Sequence, residues 1–409
     1  MCVGVRTGSN GLFAVSTAPL ERSTRNFRLT AVAAVRNTLA SAAASPFPRT
    51  GHRYVIAAAI RCGSLAAITL LVAACADAPL LQYSLRAPAV TLHPISQAPV
   101  VDGRAPFREL LCRLVAERAR RSADDRPCEQ ILHRLSDEPA AVAPGAVPSS
   151  PISRPHPVPT VVFVPGLFGE CVESIVTPFS DAYARLRALG YRVHAAHLDG
   201  RSGSAHNARM LNDALADIGA DAFVVVAYSK GVPDTLEMLA AFPEAAAKVR
   251  AVVSIAGIVS GTPIADRLAP GYSTLERNVS FPTCPRGDGD AVRSLTREAR
   301  LGWLAANRLP ASIRFYSLAA FTSTDGISNA ILPFHALLSK VDPRNDGFVI
   351  YSDAVVPGSV LLGYVNADHW AIALPLRDAD AGWRKMASHN DFPREVVIES
   401  VLQFVEERL

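Results

Sequence analysis

From residue 160 onward, short unbroken apolar runs alternate with longer segments whose apolar residues fall three and four apart. The runs are Thr160–Val164, Tyr191–His197, the stretch that opens at Phe223, Arg250–Ala256, Ser312–Leu318 and Val355–Val365, and they predict strands. The segments Ser180–Leu189, His206–Ile218, Val232–Ala241 and Arg394–Arg408 predict helices. Strands apolar along their whole length are buried on both faces, so the alternation predicts an α/β architecture, a mostly parallel sheet flanked by helices. Two stretches break the rhythm. Gly257–Pro310, with its Gly, Pro and polar clusters, predicts a cap, and Ile327–Leu338 is irregular but apolar.

Upstream the pattern differs. Residues 76–104 read as an extended tether with one possible strand at Ala89–His93. In Pro106–Arg121 the residues Phe107, Leu110, Leu111, Leu114 and Val115 share one helical face, with Pro106 suited to the first helical position. A second short helix is expected over Cys128–Leu135, and Glu138–Thr160, with seven prolines, predicts an extended linker. The expected organisation is therefore a leader over 1–74, a tether with a small helical accessory segment over 75–137, a Pro-rich linker over 138–159, and a main domain over 160–409 with its cap at about 257–310.

At 409 residues with 49% hydrophobic and 19% charged side chains, the chain can bury a large core. The net charge is +4, yet only four of the 41 basic residues are lysine, and no basic run carries interleaved aromatics. That excludes nucleic acid as an expected partner. The first quarter reads as a targeting sequence. A positive region at Arg53–Arg61 precedes the apolar stretch Cys62–Ala74, whose thirteen residues suit a signal-peptide core better than a membrane span. It ends in Leu71-Val72-Ala73-Ala74-Cys75, which resembles the bacterial lipobox. The resemblance implies lipidation at Cys75 and an exported protein anchored through lipid in the bacterial cell envelope, at the periplasm or outer membrane. Export leaves Cys112, Cys128, Cys171 and Cys284, an even set that predicts two disulfides with three possible connectivities. Cys112 and Cys128 are close in sequence and are expected to pair, leaving Cys171 and Cys284. No clustered Cys/His spacing suggests a metal site.

The chemistry gathers around Ala227-Tyr228-Ser229-Lys230-Gly231, where an apolar strand turns sharply into a helix. Small residues two before and two after the serine let the chain turn tightly and expose Ser229 as a nucleophile. Pro233 falls in the first helical turn, where its missing N–H is tolerated. A serine needs a base, and only imidazole both takes and returns a proton near neutral pH. Beyond residue 340 lie His369, in the polar loop Asn366-Ala367-Asp368-His369-Trp370 after the last strand, and His389, before the last helix; His369 is the better placed. A carboxylate should orient that imidazole. Asp346, in the Asn345-Asp346-Gly347 turn, is the leading candidate, with Asp342 and Asp353 as rivals and Asp368 too close in sequence to His369.

Four motifs in order, Pro165-Gly166-Leu167-Phe168-Gly169, the serine turn, Asn345-Asp346-Gly347-Phe348-Val349 and Asp368-His369-Trp370, give residues 160–409 a resemblance to the α/β-hydrolases of the bacterial lipase and esterase type. Pro165-Gly166-Leu167 resembles the His-Gly-x turn of lipases, with proline in place of histidine. By that match the backbone amides of Leu167 and Lys230 form an oxyanion hole, with Phe168 as the alternative to Leu167. The resemblance implies hydrolysis of a carboxylic ester by a Ser229–His369–Asp346 acyl-enzyme mechanism, with no cofactor. The apolar stretches of the cap favour substrates with apolar acyl or alkyl groups. The Lys230 side chain is expected to face solvent, with contact to an anionic group as the alternative. A serine acyltransferase of the envelope would use the same residues, and a non-catalytic binding lipoprotein would use the same fold.

Overall fold

The structure, a computed structural model, describes residues 99–119, 126–138, 159–173, 175–278, 286–376 and 379–409. The leader over 1–74, Cys75, the strand expected at Ala89–His93, nearly all of the linker and Cys284 lie outside the described residues.

In chain order the elements are β1 (Val101–Asp102), α1 (Arg104–Ala119), α2 (Cys128–Ile131), β2 (Leu132–His133), β3 (Thr160–Val164), α3 (Gly169–Val172), α4 (Ser180–Ala188), β4 (Val193–Ala195), α5 (Ser204–Ile218), β5 (Phe223–Tyr228), α6 (Gly231–Ala241), α7 (Pro243–Lys248), β6 (Val249–Ile255), α8 (Pro263–Asn278), α9 (Arg297–Ala306), β7 (Arg314–Phe321), α10 (Leu332–Leu338), β8 (Val360–Asn366), α11 (Ala381–Met386) and α12 (Arg394–Glu406). The strands form one sheet in the order β1-β8-β7-β6-β5-β3-β4, and β2 also pairs with β8. Every pairing is parallel except that of β2. The mostly parallel, helix-flanked sheet is the one the apolar runs predict.

Alternation along each strand divides the core in two. Val161, Phe163, Val224, Val226, Tyr228, Ala251, Val253 and Ile255 face α1, α4 and α12, while Val162, Val164, Phe223, Val225, Ala227 and Val252 face α5, α6 and the end of α9. A strand covered on both sides has no polar positions to give, which is why these segments read as unbroken apolar runs. The segment expected to form a cap contains α8 and α9, and it sends Ile258, Ile264, Ala265, Val292 and Leu295 into a third cluster with Leu338, Val349, Ile350 and Tyr351.

Two departures from expectation lie at β8. The helix expected over Cys128–Leu135 stops at Ile131, and Leu132 and His133 instead pair antiparallel with Val365 and Tyr364 of β8. Joining the sheet edge satisfies backbone groups that a lone helical turn would leave open. The strand expected over Val355–Val365 begins only at Val360, because Tyr351–Ala354 form a 3-10 turn and Gly358 adopts φ 78° ahead of the strand. The upstream segment shares the main core: Phe107 packs edge-on against Phe404 of α12 with ring centroids 5.6 Å apart, and β1 pairs with the start of β8. Cys112 and Cys128 form a disulfide that ties α1 to α2, the local pairing the sequence predicts. Cys171 is also disulfide-bonded.

Candidate active site

The site lies where β5 ends. Ser229 takes φ 54°, in the left-handed region that a residue with a Cβ rarely occupies. Its surroundings fix it there. Its N–H donates to Ile255 O at 3.1 Å, and its carbonyl accepts from the N–H groups of Val232 and Ile258, each at 3.2 Å. A Cβ on Gly231 would stand 2.4 Å from Pro165 O and 2.7 Å from Val164 O, so only glycine lets α6 begin this close to the end of β3. A Cβ on Gly166 would likewise stand 2.8 Å from Ser229 Cβ and 3.2 Å from its Oγ. These two glycines press the loop after β3 against the serine turn. Ala227, buried beside Val164 in the sheet, fits without displacing either strand.

The imidazole of His369 reaches this corner from the loop after β8. Its Nε2 lies 2.8 Å from Ser229 Oγ, and its Nδ1 lies 2.7 Å from Asp346 Oδ2. The other oxygen of Asp346 accepts from the N–H groups of Phe348 at 2.8 Å and Val349 at 2.7 Å. The two chains are also joined by their backbones, since His369 N–H donates to Asp346 O at 2.8 Å. Serine, histidine and aspartate are all at or below 5% exposure, so the hydrogen bonds that link them are shielded from competing water.

The rival residues are placed elsewhere. Asp342 pairs with Arg344, Asp353 pairs with Arg297, and His389 is exposed, with its N–H toward Ser328 Oγ. Asp368 turns away from its neighbour His369 and accepts from the N–H groups of Ser328 and Ala371, each at 2.7 Å, which pins the loop that carries the histidine. Burial pushes the Asp368 carboxyl above its usual range, against the pull of those hydrogen bonds. Of the two alternatives in the Gly-containing loop, Phe168 uses its N–H on Gly200 O at 3.2 Å, whereas the N–H groups of Leu167 and Lys230 meet no acceptor among the described residues.

Three features escape the sequence. Tyr228 donates its hydroxyl to His369 O at 2.7 Å and stacks at a tilt on the imidazole, with centroids 5.0 Å apart. Phe348 covers the ring from another side at 5.1 Å. Both adjoin motif residues, the one before the serine and the other two after the aspartate, and position within the motif was the available signal. The third is a correction: Lys230 does not face solvent but is fully buried, with Nζ 2.8 Å from both carboxylate oxygens of Asp234. A residue flanked by a buried strand and a buried helix start has no route outward, and a charge placed there requires a partner.

No family model and no curated protein matches the chain. Among solved structures, the metagenomic carboxyl esterase MGS0156 is 37% identical, with a TM-score of 0.69 over 79% of this chain and 97% of that one. The Bacillus licheniformis lipase BlEst2 in its mature form is 23% identical, with a TM-score of 0.43 over 54% of this chain and 89% of that one. Identity at the level of MGS0156, sustained over nearly the whole of that enzyme, shows that the chain belongs to the same carboxylesterase family of α/β-hydrolases.

Proposed function

We propose that the chain is a serine hydrolase of carboxylic esters that works through an acyl-enzyme. The observation that carries this reading is the unbroken hydrogen-bonded chain from Asp346 through His369 to Ser229 at 2.7 and 2.8 Å. Ser229 Oγ attacks the ester carbonyl as His369 Nε2 takes its proton. The same nitrogen returns the proton to the departing alcohol, and then activates the water that releases the acid. Asp346 holds the tautomer with hydrogen on Nδ1 and stabilises the imidazolium. The amides of Leu167 and Lys230, free of other acceptors among the described residues, receive the oxyanion. Half-buried Leu167 and Phe168, in the loop that carries the proposed donor, and half-buried Phe348, which lies against His369, favour an apolar acyl or alkyl portion.

The test is labelling of the leaderless protein by a fluorophosphonate, with the adduct mapped by mass spectrometry, beside a panel of p-nitrophenyl esters. Label on Ser229, absent from Ser229→Ala and His369→Ala, together with ester turnover, is the expected result. A folded protein that takes no label and hydrolyses no ester would overturn the reading.

The proposal extends to location. The positive region, the apolar stretch and Leu71-Val72-Ala73-Ala74-Cys75 support export with lipid on Cys75, and the disulfide between Cys112 and Cys128 suits an oxidising compartment. Bacteria expressing the full chain should incorporate a tagged fatty acid into it, and Cys75→Ala should abolish that incorporation. Equal tagging of both chains would rule out Cys75.

A further inference from the structure

The residue after the proposed nucleophile carries a charge for which ester hydrolysis has no direct use. Lys230 Nζ is bound by both oxygens of Asp234 one helical turn on, at the start of α6, and both side chains are at or below 1% exposure. Asp234 is itself secured from α5, where Asn207 Nδ2 donates to its Oδ2 at 2.8 Å. The next turn of α6 presents Glu237, paired at 2.8 Å with buried Arg300 of α9. Two cations and two anions thus lie behind the serine turn. Burying each ion costs several kcal/mol before its partner's attraction is counted, and well-packed apolar side chains are often as stable. Stability therefore gives little reason for a Lys230–Asp234 pair.

Its geometry gives a better one. The peptide between Ser229 and Lys230 carries one of the two proposed oxyanion donors, and it adjoins a serine strained at φ 54°. Two hydrogen bonds to Ser229 O, from Val232 and Ile258, hold the carbonyl end of that peptide, and relaxation of the strain would still turn its N–H aside if the Lys230 end were free. Asp234 holds Lys230 twice: its N–H donates to Lys230 O at 3.2 Å, and its carboxylate grips the ammonium. We propose that the Lys230–Asp234 ion pair is a positioning clamp for the oxyanion hole, fixing the 229–230 peptide so that its N–H faces the developing negative charge. The inference rests on the reading of Ser229 as the nucleophile. It makes the Lys230 side chain a positioning residue whose effect falls on the transition state and leaves ground-state binding alone.

Two variants separate positioning from simple stability. Lys230→Met removes the clamp and leaves the Asp234 carboxylate buried and unpaired; Lys230→Met with Asp234→Asn removes the clamp without stranding a charge. Each is compared with the unaltered chain for kcat and KM on a short-chain p-nitrophenyl ester, for inhibition by an aryl trifluoromethyl ketone, and for urea stability. Removing one oxyanion donor outright lowers kcat by about 10²–10³-fold, so misaligning one should lower it by about 10–100-fold. In the single variant we expect that loss in kcat, KM within about twofold, and lower stability. In the double variant stability returns, kcat stays low, and trifluoromethyl ketone affinity falls by the same factor as kcat. The clamp is refuted if kcat is unaffected in the single variant, or if kcat recovers together with stability in the double one. Fluorophosphonate labelling of the unaltered chain distinguishes the two levels: no label and no turnover there sinks the nucleophile and the clamp together, whereas normal labelling with an undiminished double variant sinks the clamp alone.

Discussion

Asp346 shows how one side chain can do two jobs with two oxygens. Oδ1 is committed to the N–H groups of Phe348 and Val349, so Oδ2 is the atom that meets His369 Nδ1. In Asp346→Asn the amide oxygen must keep the Oδ1 position, because a donor there would face two donors. The new NH2 then points at Nδ1 and drives the hydrogen onto Nε2, the nitrogen that accepts from Ser229 in the proposed mechanism. The expected outcome is a fall in kcat of about 10³–10⁴-fold in a protein that unfolds near the parent's midpoint. Paired kinetics and thermal melts check it, and activity within tenfold of the parent would contradict the assigned geometry. The serine, the histidine and the aspartate were all legible in the sequence because each sits in a short motif with a stereochemical reason, a tight turn or a polar loop past a strand. Tyr228 and the inward turn of Lys230 were not, since which way a side chain points from a tight corner depends on the elements packed around it.

Helices α8 and α9 are joined to the segment that follows the Asp346 loop by an element-scale contact. Arg297 opens α9, its N–H donates to Asp266 of α8 at 2.8 Å, and its guanidinium pairs with Asp353 in the turn that follows the Asp346 loop. Burial pushes the Asp353 carboxyl up to about 6, with the charge of Arg297 pulling the other way. Between pH about 4 and about 6 the folded chain therefore holds a proton at Asp353 that the unfolded chain has released. Stability from this site is fully present below the unfolded value of 3.8 and is lost as pH rises through about 6. A difference of that size corresponds to about 3 kcal/mol across the window. Urea unfolding from pH 4.5 to 7 should show the parent losing stability relative to Asp353→Asn as pH rises. A constant gap between the two chains would show that Asp353 ionises alike in both states.

At the scale of the whole molecule, the sheet is finished by chain that precedes the linker. The central strands β3, β5, β6 and β7 could be read from the sequence because burial on both faces leaves an unbroken apolar run. β1 and β2, two residues each, have no such signature, because their place is set by the backbone groups that β8 offers and not by side-chain pattern. The same logic shortens β4, expected over seven residues and observed over three at the opposite edge. Around β8 the upstream segment adds more than pairing. Buried Arg104 binds Asp102 and stacks over Tyr364, Arg108 binds Glu138, and Phe107, Leu110 and Leu111 cover α12. A chain that begins at residue 159 would keep Ser229, Asp346 and His369 but expose the hydrogen-bonding edge of β8 and the apolar face of α12. An open edge beside an uncovered apolar face invites strand addition from a second copy. The shortened chain should therefore unfold at lower urea than the full one and scatter light increasingly with concentration, while any monomer that remains still takes the fluorophosphonate label. Full stability and a monomeric state after the deletion would mean that the segment decorates the domain; loss of both with labelling intact would show that it completes the sheet on which the site depends for its lifetime but not for its geometry.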